Sequence, residues 1–387
     1  SASACRGRFA RKADDVDFSF TEEQEAVREL ASRIFSDLAT PERLREVEVT
    51  DERFDRKLWG ELASAGLLGI GLPEAVGGAG LGFVAVGVVA EEAGRTAAAV
   101  PFVAGAVLGA GIIAEFGDAA QCQRFIEPFV AGDVVLSAAL VEQGGDPASP
   151  TTTATPQGDG WRLDGTKSFV PAGMIAHAVV VSARTHDGIG LFVVDPAAPG
   201  VVRRPQEATS RQIEAELELS GVEVGPDGVL VTGPDGADAL RWLLEHAEAA
   251  LCLCVAGACD AAVKLTAQYT TQREQFGKPI ATFQAVGQRA ADAYIDAEAV
   301  RLTAWQAVWR LSEGLPATSE VAVAKYWADE GAQRVVHAAQ HLHGGIGVDR
   351  DYPLHRYYLL TKHLALTLGG ATTSLLRLGE VLATEPA

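Results

Sequence analysis

Basic residues are scarce in this chain. Lysine and arginine together number 32 against 51 aspartates and glutamates, for a net charge of −19. Phosphate backbones would be repelled and no basic block offsets the imbalance, so nucleic acid is excluded as a partner. The charge instead suits the solubility of a cytoplasmic protein. Cysteine is scarce too. Cys5, Cys122, Cys252, Cys254 and Cys259 make an odd count with no repeated CxxC spacing, which argues for reduced thiols rather than a disulfide framework. Cys252, Cys254 and Cys259 fall in an apolar helical stretch and read as small core residues, with no histidine or carboxylate pattern to complete a metal site. Long hydrophobic runs are nearly missing. Residues 96–114 carry no charge, but they are mostly alanine and contain Pro101, Gly105, Gly109 and Gly111. That composition suits a buried helix pair broken at Pro101, not a membrane span. The opening SASACRGRFARKADD lacks the apolar core of a signal peptide, and residues 1–16 read as a loose terminus.

What is present falls into three blocks. With 387 residues and 48% hydrophobic content, the chain can fill two or three domain cores. Residues 17–131 are helical in pattern: Thr21 and Gln24 form a capping box, and Val27, Leu30, Ala31 and Ile34 recur at helical spacing behind it. The glycine-rich LPEAVGGAGLG at 72–82 precedes a helix at 83–94. It lacks the GxGxxG order and has no strand before it, so it reads as an interhelical connection. Residues 132–235 turn to short β-rich runs (VVLSAALV, WRLDGTKSFV, HAVVVSAR, GIGLFVVD, DGVLVTG) separated by turn residues, as in a small β-barrel or sandwich. After Pro234 the pattern returns to long amphipathic helices at about 237–272, 281–313, 317–342 and 352–382, a four-helix bundle over 236–387. No internal repeat is found.

Three segments carry a resemblance. QREQFGKPIATFQAVGQRAAD at 272–292 matches an R-x-x-F-G-x-x-[IL]-x-x-F-Q signature. HLHGGIGVDRDYPLHRYY at 341–358 is similar to a Q-x-x-G-G-x-G-[YF] turn and its following helix. LPEAVGGAGLG followed by AEEAGR resembles a loop and helix of the same family, that of the acyl-CoA dehydrogenases. The resemblance runs from about residue 17 to 382 and implies the same order of helical, β and helical-bundle domains. It also implies FAD as cofactor, a tetramer, and oxidation of an acyl-CoA thioester between Cα and Cβ.

The residues make physical sense of it. Arg273 offers a rigid fork of donors suited to a diphosphate, and Phe276 can lie flat against an adenine or flavin face. By resemblance, Arg273, Phe276 and Gln284 touch FAD held mainly by a neighbouring subunit. A surface pair of Arg273 with Glu274 or Asp292 is the plainer reading. Gly344 and Gly345 expose backbone N–H groups to a phosphate, and His341 stands where the family has Gln. His337 and His341 are spaced i,i+4, but with no third ligand they read as capping or packing residues rather than a metal pair.

The catalytic base is absent. α-Proton removal needs a base facing the substrate, with the flavin on the other side. The resemblance places a Glu at the position of Gly369, or on the first bundle helix near Ala247, Leu251 or Cys254, and none of these is acidic. Glu245 and Glu248 are the nearby carboxylates. Glu248, about 100° per residue away from Ala247, is the candidate for a relocated base; otherwise both read as a solvated helix face. By the same resemblance Val141 and Pro171 replace hydroxyl residues that contact the flavin, and proline supplies no N–H.

The sequence is therefore similar to subunits of the actinobacterial heterotetrameric (α2β2) steroid side-chain acyl-CoA dehydrogenases that lack the usual Glu. In that reading Arg273, Phe276, Gln284, His341, Gly344 and Gly345 donate FAD contacts across an interface to a homologous catalytic subunit. The substrate is a bulky steroid side-chain CoA, the acceptor an electron-transfer flavoprotein, and the location cytoplasmic. Two alternatives stand beside it: a self-sufficient homotetramer with Glu248 as base, and a non-catalytic assembly scaffold.

Overall fold

The structure, a computed structural model, describes residues 19–384; the expectation for residues 1–16, with Cys5, lies outside them. Helix α1 (Glu22–Leu38) begins at the capping box. The Gln24 N–H donates to Thr21 Oγ1 at 3.2 Å and the Thr21 N–H to Gln24 Oε1 at 3.0 Å, satisfying two donors at the helix start. Helices α2 (Pro41–Glu48), α3 (Arg56–Ser64) and α4 (Gly82–Arg95) follow. The uncharged run does break before Pro101, and a π-helical stretch, Ala104–Gly111, then leads into α5 (Ile112–Phe116). Both are core: Phe102, Leu108, Ile112 and Ile113 are buried. Short α6 (Ala119–Gln121) and α7 (Glu127–Val130) close this first body.

The middle of the chain is an eight-stranded sheet. Its strands are β1 (Leu136–Ala139), β2 (Thr153–Gln157), β3 (Gly160–Pro171), β4 (Ala178–Thr185), β5 (Gly188–Val194), β6 (Val201–Glu207), β7 (Ile213–Val224) and β8 (Val229–Val231). The order is β6-β7-β3-β2-β4-β5-β8, with β1 parallel beside β4. Strand β7 alternates: Ala215, Leu217 and Leu219 point into the core, while Glu216 and Glu218 face out and both pair with Arg204 of β6, at 3.1 and 2.6 Å. A single buried lysine ties the sheet to the loop that precedes β2. Lys167 donates to Glu142 Oε1 at 2.8 Å, and Glu142 also accepts from the Thr151 and Thr152 N–H groups. Burial opposes ionisation of Glu142, yet these donors outweigh it and hold the carboxyl at about 2.

The chain then forms α8 (Gly236–Gln272), the two-residue strands β9 (Glu274–Gln275) and β10 (Lys278–Pro279), α9 (Gln284–Ser312), α10 (Thr318–Tyr326), α11 (Ala332–His343), α12 (Leu354–Leu366) and α13 (Ala371–Thr384). α10 and α11 run on through a π-helical turn, Trp327–Gly331. α8 is long and apolar enough by composition to cross a bilayer, but its middle is enclosed by α4, α9, α11 and α12. Where α4 and α8 cross, a Cβ on Gly94 would fall 1.9 Å from the Cys254 carbonyl oxygen, and one on Gly257 would fall 1.9 Å from that of Glu91. Only glycine allows this approach. Cys252, Cys254 and Cys259 are buried beside the crossing, as small core residues. The single last helix expected at 352–382 is instead two helices. Leu368 at φ +61° and Gly369 at φ +116° turn the chain between them.

Candidate functional site

The two glycine-bearing motifs lie side by side because the ends of α8 and α11 are clamped together. Tyr269 stacks on His343 with ring centroids 4.5 Å apart. His343 is bonded through Nδ1 to the Ala339 carbonyl at 2.8 Å and through Nε2 to the Tyr352 hydroxyl at 3.0 Å. Burial lowers its pKa, so the ring is neutral, with Nδ1–H donating and Nε2 accepting. One turn beyond Tyr269, Arg273 leaves the helix and the chain doubles back, β10 pairing with β9. The two residues at the tip, Phe276 at φ +54° and Gly277 at φ +75°, give the hairpin two successive left-handed residues, the geometry of a type I′ turn. Gly344, at φ +63° and ψ −139°, ends α11 in a conformation open only to glycine.

All six residues expected to touch the cofactor, Arg273, Phe276, Gln284, His341, Gly344 and Gly345, are exposed. The Arg273 side chain makes no hydrogen bond or ion pair with any described residue, so the plainer pairing with Glu274 or Asp292 does not form. A Cβ at Gly344 or Gly345 would meet nothing within 4 Å. His337 bonds the Tyr358 hydroxyl at 3.2 Å. An unpaired guanidinium beside two open backbone turns is a donor set for a phosphate group delivered from outside the chain. Phe276 is 93% exposed, and its ring meets only Phe283 edge-on. An aromatic at positive φ carries about 1 kcal/mol of strain with no burial to offset it. Phe276→Asn, which tolerates that conformation, is therefore expected to raise stability by about 1 kcal/mol in a denaturant titration. An unchanged or lower midpoint would refute the strain.

The second feature is a cavity of about 490 Å³ between the three bodies, within the size range of small-molecule sites. Phe102 and Leu108 line it from the first body, Val141 and Pro171 from the sheet, and Leu251 and Leu364 from the bundle. Of the four positions where a base was sought, Ala247 is fully buried, Leu251 and Cys254 form part of the wall, and Gly369 has no side chain. Burial pushes the Cys254 thiol up to about 12, so it stays protonated. Val141 and Pro171 present only carbon to the cavity.

Glu248 corrects the expectation of a solvated face. It is 1% exposed, does not line the cavity, and both its oxygens accept from Arg377 Nη1 of α13, at 2.8 and 2.9 Å. Burial raises its pKa and the Arg377 guanidinium opposes the rise. Because α8 runs through the middle of the bundle, its carboxylate meets α13 rather than water or a ligand. Glu245 accepts from the Thr318 hydroxyl at 2.6 Å. A relocated base at Glu248 is thus not what the geometry presents.

A further buried lysine shapes the turn at 367–370. Lys325 donates to Asp329 at 2.6 Å and to the carbonyls of Leu364, Ala365 and Gly369 at 3.2 to 3.4 Å, capping α12 and holding the turn. Burial lifts the Asp329 carboxyl to about 7, against the pull of Lys325. A carboxyl raised in the folded state binds its proton more tightly there than when unfolded. Its contribution is therefore complete below the unfolded value near 4 and is lost as pH rises through about 7. Asp329→Asn is expected to remove that dependence. The stability gap between wild type and variant should change by on the order of 3–4 kcal/mol between pH 4 and 7; a constant gap across that range would refute it.

Nothing in the sequence announces one polar pair that reaches the cavity. Glu214 of β7 and His363 of α12 both line it, with His363 Nε2 3.0 Å from Glu214 Oε1. They lie 149 residues apart and belong to no motif, so only the folded chain joins them.

Models of the acyl-CoA dehydrogenase N-terminal, middle and C-terminal domains match residues 21–133, 140–222 and 234–381. The chain is 39% identical over 381 residues to the acyl-CoA dehydrogenase FadE27 of Mycobacterium tuberculosis, covering 96% of this chain and all of that one. Among solved structures it is similar to a chain of the Tcur3481–Tcur3483 steroid ACAD, with 48% identity, a TM-score of 0.88, and 94% and 98% of the two chains covered. It is also similar to a chain of the ChsE4–ChsE5 complex from Mycobacterium tuberculosis, with 39% identity, a TM-score of 0.91, and 96% and 100% covered.

Proposed function

Because the chain belongs to the acyl-CoA dehydrogenase family, we propose that it is the subunit of a cytoplasmic α2β2 complex that supports catalysis without carrying a base of its own. A homologous partner oxidises the substrate, a bulky steroid side-chain CoA thioester, and this chain supplies FAD contacts to the partner's site. The observation that carries the reading is the state of the base position. Gly369 sits at φ +116° in a turn held by Lys325, and the two nearby carboxylates are engaged with Arg377 and Thr318. The loss extends to the backbone, because a side chain at that φ is strained whatever its chemistry.

The donor sets support a divided role. At the exposed face, the Arg273 guanidinium and the uncrowded turn at Gly344 and Gly345 suit the approach of the FAD diphosphate, although the Gly344 N–H is itself bonded to the Gln340 carbonyl, and Phe276, Gln284 and His341 are exposed for further contacts. In the cavity, the side chains of Val141 and Pro171 offer no donor to a flavin edge. The nucleotide end fits this chain; the ring does not fit this chain's own cavity. When bound in the partner, FAD supplies the hydride acceptor, and an electron-transfer flavoprotein is the proposed onward acceptor. Relatives whose names denote a steroid ACAD pair and a two-protein complex support the substrate class and the pairing. A pure scaffold is disfavoured by the unpaired Arg273.

Flavin counting tests the proposal. The purified complex of this chain with its partner is expected to carry two FAD per tetramer, and the chain expressed alone is expected to be colourless. Four FAD per tetramer would defeat it.

A further inference from the structure

We propose that the cavity of this chain is a binding site for a neutral apolar alcohol, held without flavin by the carboxylate of Glu214. The inference rests on the reading above that this cavity hosts no redox step. Glu214 is 5% exposed, and its Oε1 is held by His363 Nε2. Its Oε2 accepts no hydrogen bond from any described residue and is not among the fully buried polar atoms without a partner, so it keeps exposed surface. It therefore opens into the cavity that Glu214 lines.

One tautomer of His363 joins its two partners in a single chain of donors. Ser210 Oγ lies 2.8 Å from His363 Nδ1 and accepts from the Gln212 N–H at 3.4 Å. With the Nε2 proton directed at Glu214, the Ser210 hydroxyl donates to Nδ1, and the relay ends on the carboxylate. Glu214 Oε2 is left as an acceptor without a donor, and a buried acceptor left unmade is costly. A ligand hydroxyl is the group that satisfies it.

The rest of the wall selects the ligand's body. Phe102, Leu108, Leu140, Ile175, Leu251 and Leu360 present hydrocarbon, and the volume of about 490 Å³ takes a compact polycyclic or branched skeleton. Charged groups are disfavoured. Glu52 and Glu207 border the cavity, and Arg53 is already committed to Glu207 at 2.8 Å. Glu52 is paired with Arg56 and Glu207 with Arg53 and Arg211, so neither offers a free charge to a ligand ion, which would lose hydration that the apolar wall does not replace.

Equilibrium dialysis of the full-length chain with labelled androsterone, a rigid tetracyclic 3-alcohol, tests the assignment against 5α-androstan-17-one, which lacks that hydroxyl. Wild type is expected to bind one androsterone per chain, saturably, and about tenfold or more tighter than the deoxy compound, as suits a hydrogen bond to a charged acceptor. Glu214→Gln is expected to erase the preference, and Leu251→Trp to abolish binding of both by filling the cavity. Absence of saturable binding, equal affinity of wild type for both compounds, or a preference that survives Glu214→Gln would each overturn the proposal. The comparison of two ligands on wild type decides even where a variant fails to fold. Flavin is measured in the same samples: flavin in the chain alone sinks the underlying reading, whereas a flavin-free chain that ignores both alcohols sinks only this inference.

Discussion

In the assembled complex, Arg273→Ala is expected to weaken FAD binding about a hundredfold or more and to leave flavin-depleted protein after gel filtration. The guanidinium emerges at the end of α8 with no partner among the described residues, so its donors are free for a diphosphate. A bidentate charge-assisted pair contributes roughly 1.5–3 kcal/mol per bond, which sets the expected scale. Arg273→Lys keeps the charge but loses the planar fork, so it should fall between wild type and Ala. The stability of the isolated chain should move by no more than about 0.5 kcal/mol, as expected for a surface side chain without contacts. That contrast separates a cofactor role from a structural one. An Ala variant that retains full flavin in the partner's site would remove the main support for cross-interface binding.

That prediction was legible in the sequence because the determinants of the face are local. The Arg-Glu-Gln-Phe-Gly order builds its own hairpin at residues 273–279, and Gly344 ends α11 through its own backbone freedom. The capping box at Thr21 and the hydrophobic runs of β1, β3, β4, β5 and β8 are short-range signals as well. Strands β6 and β7 were hidden because Arg203, Arg204, Glu207, Glu214, Glu216 and Glu218 stud VVRRPQE and IEAELELS with charge, which reads as loop until the ladder between Arg204 and its two glutamates is seen. The cavity wall was hidden for a different reason. Glu214 and His363 meet only because β7 and α12 pack together, and neither lies in a motif. Glu248 misled because helix periodicity assumes one wet face, and α8 has none at that level. The break at 367–370 likewise depends on Lys325, some forty residues upstream, reaching the carbonyls that the end of α12 leaves open.

Arg377→Ala is expected to destabilise the chain by about 3–5 kcal/mol, because it strands Glu248 as a buried carboxylate without its counter-charge. The penalty arises from one side of the pair, so removing both sides should behave differently. Glu248→Leu combined with Arg377→Leu replaces the ions with hydrocarbon in the core between α8 and α13, and replacement of this kind ranges from neutral to stabilising. The double variant should therefore recover most of the stability lost by the single change, a non-additivity that contacting residues show and distant ones do not. The same pair discriminates between the two roles considered for Glu248. If Glu248 only anchors α13, the double variant regains stability and, with its partner, full turnover. If Glu248 were a base, the double variant would fold yet lose turnover. Denaturant midpoints and steady-state rates of the reconstituted complex, measured on wild type, single and double variants, give the answer. A stable double variant with abolished activity would return the catalytic proton to this chain.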